Sequence, residues 1–266
     1  MMETAFVSYG VQVAVRLATP GLLTAIEERF PPAWEPAIRS QSDRTYTLEI
    51  TESEHHPHTR REYVLSDETR ELKRSERLIE VLDSFESNSR LFIAEMTTER
   101  AFLHAGAVGW NGQAIIIPGR SWSGKTTLVA ELVKAGAVYF SDEYAVLDHE
   151  GLLHPYPKPL SVRENGLDVQ INRPVEYFGG RAATEPLPVG IVIVCEYRAD
   201  TVWSPTKLST GNGLLALGDN SISIRRSPHL VLSLLGKALS KAEVIAGTRG
   251  EASQVVDYLR RHYPAL

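Results

Sequence analysis

Apolar and polar residues alternate with the period of a half-buried strand through Val7, Tyr9, Val11, Val13, Val15 and Leu17. Thr19-Pro20 then predicts a helix start, with Leu22, Leu23, Ile26 and Phe30 on one face until Pro31-Pro32 breaks it. Alternation returns at Tyr46, Leu48 and Ile50, and again at Tyr63 and Leu65. Over 75–94 the spacing of Leu78, Ile79, Leu82, Phe85 and Phe92 predicts one amphipathic helix. Beyond residue 100 the pattern changes to short, continuous apolar runs, the mark of buried strands. Phe102-Leu103-His104-Ala105 and Ala114-Ile115-Ile116-Ile117 flank Asn111-Gly112, a hairpin signal. Good helix formers fill 128–135 and stop at Gly136. Further strands are expected at 137–143, at Tyr144-Ala145-Val146-Leu147 paired with Leu152-Leu153, at Leu160-Ser161-Val162-Arg163, at 189–194, around Val202-Trp203 and Lys207-Leu208, and at Val244-Ile245-Ala246. Helices are expected from Ser227-Pro228 to Leu239 and over 251–261. The pattern predicts an α/β protein with a mixed sheet: a small α+β unit over 1–97, then a larger domain over 98–266.

Composition narrows the function classes. The chain of 266 residues is 43% hydrophobic and 23% charged, ordinary for a folded domain with an ample core. Its net charge of −5, with no block of lysine and arginine, argues against a nucleic-acid partner. Cys195 is alone and sits in an apolar run, so it reads as core and no intrachain disulfide can form. No signal-peptide pattern and no membrane-spanning apolar run is present, which makes a cytoplasmic protein without a membrane partner the expectation. His55-His56-Pro57-His58 lacks the spacing of a metal site and reads as a solvated loop.

The candidate chemistry lies in Gly119-Arg120-Ser121-Trp122-Ser123-Gly124-Lys125-Thr126-Thr127, a P-loop pattern placed between a strand and a helix. In that context successive backbone N–H groups and a helix N-terminus face a phosphate chain. Lys125 would reach the terminal phosphates, and the Thr126 hydroxyl would hold Mg²⁺. The strand that follows ends in Asp142-Glu143, carboxylates that can bind Mg²⁺ or accept a proton from an attacking hydroxyl. Asp142 comes only 17 residues after Lys125, too soon for transporter-type or AAA-type ATPases. No Asn-Lys-x-Asp motif supports a GTPase. The hairpin brings His104 beside the loop. Residues 164–188 are polar and rich in glycine and proline, and they read as a mobile lid over the acceptor groove.

Leu103-His104-Ala105-Gly106-Ala107, the loop from Gly119, and Ser141-Asp142-Glu143 resemble the nucleotide-binding core of HPr kinase/phosphorylase. They are similar, in the same order, to ATP-dependent phosphoenolpyruvate carboxykinase. The resemblance covers 102–163 best and 1–95 least, the latter looking more like the start of free-standing HPr-kinase-like proteins. It implies a P-loop fold of that kind, with ATP and Mg²⁺ as cofactors. By position it implies that Lys125 and Thr126 meet phosphate and Mg²⁺, and that Asp142 binds metal and takes the hydroxyl proton. Glu143 stands where a second aspartate is usual, His104 near the transferred phosphate, and Arg163 on the terminal phosphate. Trp122 stands where both families usually carry glycine, and 164–188 lacks the glycine-rich signature tied to HPr itself. The expected activity is transfer of the γ-phosphate to a hydroxyl, serine first, of a peptide, protein or small molecule. The alternative is an ATP-binding regulatory module that transfers nothing. Homo-oligomerisation is compatible with either.

Overall fold

The computed structural model describes residues 1–38, 41–52, 61–120, 123–163 and 170–264. His55, His56 and His58, with Ser121 and Trp122, lie outside the described residues. The chain divides into two compact units, Met1–Thr98 and Glu99–Leu266, and is mixed α/β. No helix among the described residues is long and apolar enough to cross a membrane.

In the first unit the alternation predicted as one strand is a hairpin, β1 (Met2–Ser8) and β2 (Val11–Leu17). Tyr9 and Gly10 take φ of 50° and 77°, and positive φ at both central residues lets a two-residue turn match the strand twist. A tyrosine rarely adopts that conformation, which is why the turn was hidden behind an unbroken alternation. A 3₁₀ turn at Pro20–Leu22 leads into a short α1 (Leu23–Glu27), which stops before the predicted Phe30. Then come β3 (Trp34–Pro36), β4 (Arg44–Glu52), β5 (Arg61–Ser66), β6 (Glu71–Ser75) and α2 (Leu78–Met96). The sheet order is β3-β1-β2-β4-β5-β6, with β2 and β4 parallel. Val13, Val15 and Leu17 from alternate positions of β2 meet Val81, Phe85 and Phe92 of α2 in one core. Each such side chain, fully buried, contributes roughly 1.5–3 kcal/mol.

The second unit opens with β7 (Ala101–Trp110) and β8 (Gln113–Pro118), joined by Asn111-Gly112 with φ of 50° and 78°. There follow α3 (Lys125–Lys134), β9 (Val138–Ser141), β10 (Tyr144–Leu147), β11 (Leu152–His154), β12 (Leu160–Arg163) and β13 (Gln170–Arg173). The unit ends with β14 (Leu187–Tyr197), β15 (Thr206–Lys207), α4 (Thr210–Gly218), α5 (Pro228–Leu239), β16 (Glu243–Arg249) and α6 (Ala252–His262). The large sheet runs β11-β10-β7-β8-β14-β16-β15, and β9 pairs with β7. Strands β8, β14 and β16 are parallel, and the rest of the path is antiparallel. Alternate residues of β8 go to opposite faces. Ala114 and Ile116 pack with Leu217, Leu234 and Leu235 of α4 and α5, while Ile115 and Ile117 pack with Leu128, Leu132 and Val255 of α3 and α6. This two-sided burial accounts for the continuous apolar runs.

The lid expectation for 164–188 fails over its described part; 164–169 lie outside the described residues. Strand β13 pairs with β12, and Val175–Phe178 forms a 3₁₀ turn. Tyr139 N donates to Arg181 O at 2.9 Å and Ala183 N donates to Tyr139 O at 2.7 Å, so this stretch runs as an added edge along β9. A Cβ on Gly180 would lie 2.2 Å from a Val133 methyl, so the glycine is there for close packing against α3. A polar, glycine-rich composition read as mobility is here the composition of an anchored segment.

Candidate functional site

Strand β8 delivers Gly119 and Arg120, and Ser123-Gly124 delivers α3. Gly124 takes φ of 83° at the N-cap position and, as a glycine, offers no side chain to cap the helix. The first N–H groups of α3 thus lack intrahelical partners and carry the positive end of its dipole. Lys125 folds back over the loop. Its ammonium donates to Gly119 O and Arg120 O, both at 2.7 Å, and the residue is only 7% exposed. Burial lowers its pKa, and the Asp142 charge partly offsets that. Ser123 Oγ is buried without a hydrogen-bond partner among the described residues.

Asp142, 7% exposed, lies just past β9. Ser141 Oγ accepts from Glu143 N at 3.1 Å and Tyr144 N at 3.0 Å, which fixes the turn that presents both carboxylates. Thr126 Oγ1 donates to Asp142 Oδ2 at 3.2 Å. The Tyr139 hydroxyl reaches Asp142 Oδ1 at 3.2 Å and Lys158 O at 2.9 Å, with one proton for the two. Burial pushes the Asp142 pKa up; Lys158, Thr126 and Tyr139 pull it back and Glu143 adds to the rise. Glu143 Oε2 pairs with Lys158 Nζ at 2.8 Å.

His104 sits on β7 opposite Tyr144 of β10, and its carbonyl accepts from Gly119 N at 3.3 Å. Burial lowers the imidazole pKa, Lys125 and Lys158 lower it further, and Glu143 opposes them. The hairpin therefore brings His104 into the field of the same charges that surround Asp142. Arg163 ends β12 opposite Gln170; its side chain lies outside what is described, so its expected phosphate contact is left as an expectation. Among the described residues no group of three His, Cys, Asp and Glu side chains is placed to hold a metal alone. The oxygen donors at hand are Asp142, Glu143 and the Thr126 hydroxyl.

Three neighbours of the site carry no motif in the sequence. Lys158 stands between Pro157 and Pro159, a stiff setting for a cation that could have drawn notice. Tyr139 reads in the sequence only as a strand residue. Arg249, 2% exposed at the end of β16, donates through Nη2 to Gly124 O at 2.7 Å and through Nη1 to Gly250 O at 3.0 Å. Nothing local marks it. A Cβ on Gly124 would lie 2.4 Å from Arg249 Nη2. Gly124→Ala is thus expected to destabilise the second unit by about 1–2 kcal/mol from the left-handed backbone alone, with more from displacing the guanidinium. The urea midpoint measures this, and an unchanged midpoint would count against the tight fit.

No family model matches the chain, and no curated protein matches it. The functional reading rests on the geometry.

Proposed function

We propose that the protein is an ATP- and Mg²⁺-dependent kinase of the HPr-kinase-like P-loop class, transferring the γ-phosphate to a hydroxyl of a peptide, protein or small molecule. The observation that carries this reading is the 3.2 Å contact between the Thr126 hydroxyl and the Asp142 carboxylate, with Lys125 one residue before Thr126 at the start of α3. Hard oxygen donors in that set suit Mg²⁺, which binds through one or two carboxylates together with substrate phosphates. When bound, Mg²⁺ supplies charge neutralisation on the β- and γ-phosphate oxygens. Lys125 and the N–H groups of α3 hold the phosphate chain, and Arg163 is assigned to its terminal phosphate. In the transfer the acceptor oxygen bonds to the γ-phosphorus, the bond to the β–γ bridging oxygen breaks, and ADP leaves. The acceptor proton goes to Asp142, the buried carboxylate held beside Thr126 at the end of β9. His104, whose pKa is lowered by burial and by Lys125, is positioned to orient the acceptor hydroxyl.

Incubation with γ-labelled ATP, Mg²⁺ and serine-containing peptides or cell extract tests the reading. Label on a hydroxyl product supports the kinase. Tight ATP binding without transfer supports the regulatory module instead.

The His104 assignment also predicts a pH effect on stability. An unfolded histidine titrates near pH 6.5, whereas the folded His104 resists protonation to lower pH. The unfolded chain then binds more protons in that window, so stability present above about pH 6.5 is lost as pH falls toward the folded pKa. Asp142, raised, has the opposite sign, but it is common to both proteins when wild type is compared with His104→Gln. The variant is expected to lose less stability between pH 7.5 and 5.5, read as urea midpoints; parallel losses would refute a depressed His104.

A further inference from the structure

We infer that the cleft between the N-termini of α3 and α6 is the nucleoside site, with Tyr197 as the stacking face for the base and Glu251 as acceptor for the ribose hydroxyls. The inference rests on the phosphate-loop reading above and extends it to a part of the molecule that no sequence motif marks. The cleft has a volume of about 400 Å³, and its walls include Gly124, Thr127, Tyr197, Arg249, Glu251 and Ser253. That volume lies within the range that takes small-molecule ligands.

Position along α3 gives the site its polarity. Thr126 faces Asp142, while Thr127, the next residue, opens onto the cleft. A phosphate chain laid on this helix N-terminus with its transferable end at Asp142 has its other end at the cleft. The second wall is the start of α6, an 11-residue helix whose N-cap Glu251 makes no side-chain cap hydrogen bond. Gln254 N already bonds Glu251 O at 3.2 Å, so the N–H groups ahead of it, those of Ala252 and Ser253, form the open end of this helix.

The independent observation is Arg249. Its guanidinium is buried between the two helix starts, tied to Gly124 O and Gly250 O and lying against the Cys195 thiol. A buried cation fixed at the mouth of two helix N-termini favours the phosphate end of a nucleotide, and the cleft beyond it is lined by an aromatic ring and carboxylates. There the Tyr197 ring lies 5.5 Å from the guanidinium with the residue 49% exposed, an aromatic surface open to solvent. Glu251 is exposed at the rim and Glu131 also lines the cleft. An aromatic face and carboxylates beside a phosphate site are the groups that bind a base and ribose hydroxyls.

Calorimetry on the full chain with Mg²⁺, using ATP, 2′-deoxy-ATP and inorganic tripolyphosphate as probes, tests this. Tyr197→Ala is expected to weaken ATP about tenfold or more, the usual effect of removing one base-stacking ring. Tripolyphosphate, which has no base, should bind within about twofold of wild type. Tyr197→Phe keeps the ring and should bind ATP as wild type does, which guards against a folding defect. Glu251→Gln should reduce the preference for ATP over 2′-deoxy-ATP. Equal effects of Tyr197→Ala on ATP and tripolyphosphate, or no effect on either, would overturn the nucleoside assignment. If tripolyphosphate binding still depends on Lys125 in that case, the phosphate-loop reading survives. If wild type binds neither ATP nor tripolyphosphate, that reading falls and this inference with it.

Discussion

Lys125→Met is expected to lower ATP affinity about thirty- to a thousandfold. In the free protein the ammonium spends its hydrogen bonds on Gly119 O and Arg120 O, carbonyls of the loop it closes. A triphosphate offers ionised oxygens in their place, and a hydrogen bond to a charged group is worth roughly twice a neutral one. Losing a buried charge-assisted contact costs about 2–4 kcal/mol, from which the fold-change follows. Methionine retains most of the side chain's volume. It also removes a buried cation, whose pKa burial lowers, together with its bonds to two loop carbonyls, so folding is checked beside binding. Titration calorimetry with a parallel thermal melt separates the two. Equal ATP affinity in wild type and variant would remove the basis for placing phosphates on this loop.

What could be read in the sequence was what neighbouring residues decide among themselves. Asn111-Gly112 fixes a two-residue turn through backbone sterics, and the turn alone puts the β7 histidine next to the strand that feeds the loop. Gly124, needed for φ of 83°, and Asp142, one helix and one strand later, belong to the same local order. Tyr9-Gly10 escaped because tyrosine in a left-handed conformation contradicts its propensity, and the hairpin's register supplies the compensation. Helix α4 escaped for a similar reason. Gly211, Gly213 and Gly218 lower its propensity, yet Ser209 Oγ accepts from Asn212 N at 3.2 Å and caps it, and Gly213 lies against Val244. Residues 170–188 were misread because glycine serves close packing as readily as motion, and only the contact with Val133 decides which. Arg249 lies 125 residues from the glycine whose carbonyl it binds, and a contact of that span leaves no local pattern. Lys158 falls between these cases: the prolines around it were visible, but its pairing with Glu143 depends on how two connections meet.

Asp142→Asn is expected to lower turnover about a hundred- to ten-thousandfold while ATP affinity changes only a few fold. The range is that of a general base removed from a positioned acceptor. Asparagine keeps the shape of the side chain, and its carbonyl oxygen can still accept from Thr126 or Tyr139, but it cannot take the hydroxyl proton. The same substitution should raise thermal stability. Burial holds the Asp142 pKa above its ordinary value, so the unfolded chain ionises more readily than the folded one. The contribution of this group is then greatest below the unfolded pKa, near 3.9, and is lost as pH rises through the raised folded pKa. At neutral pH the wild type carries that loss and the asparagine variant does not. For a unit of this size about 1 kcal/mol moves the melting temperature by about 2–4 °C. A variant that is both slower and more stable is the signature of a charge kept for chemistry against the interest of the fold. Slower turnover with a lower melting temperature would instead make Asp142 a structural carboxylate, held by Thr126 and Tyr139 for packing, and the base would have to be sought at Glu143 or His104.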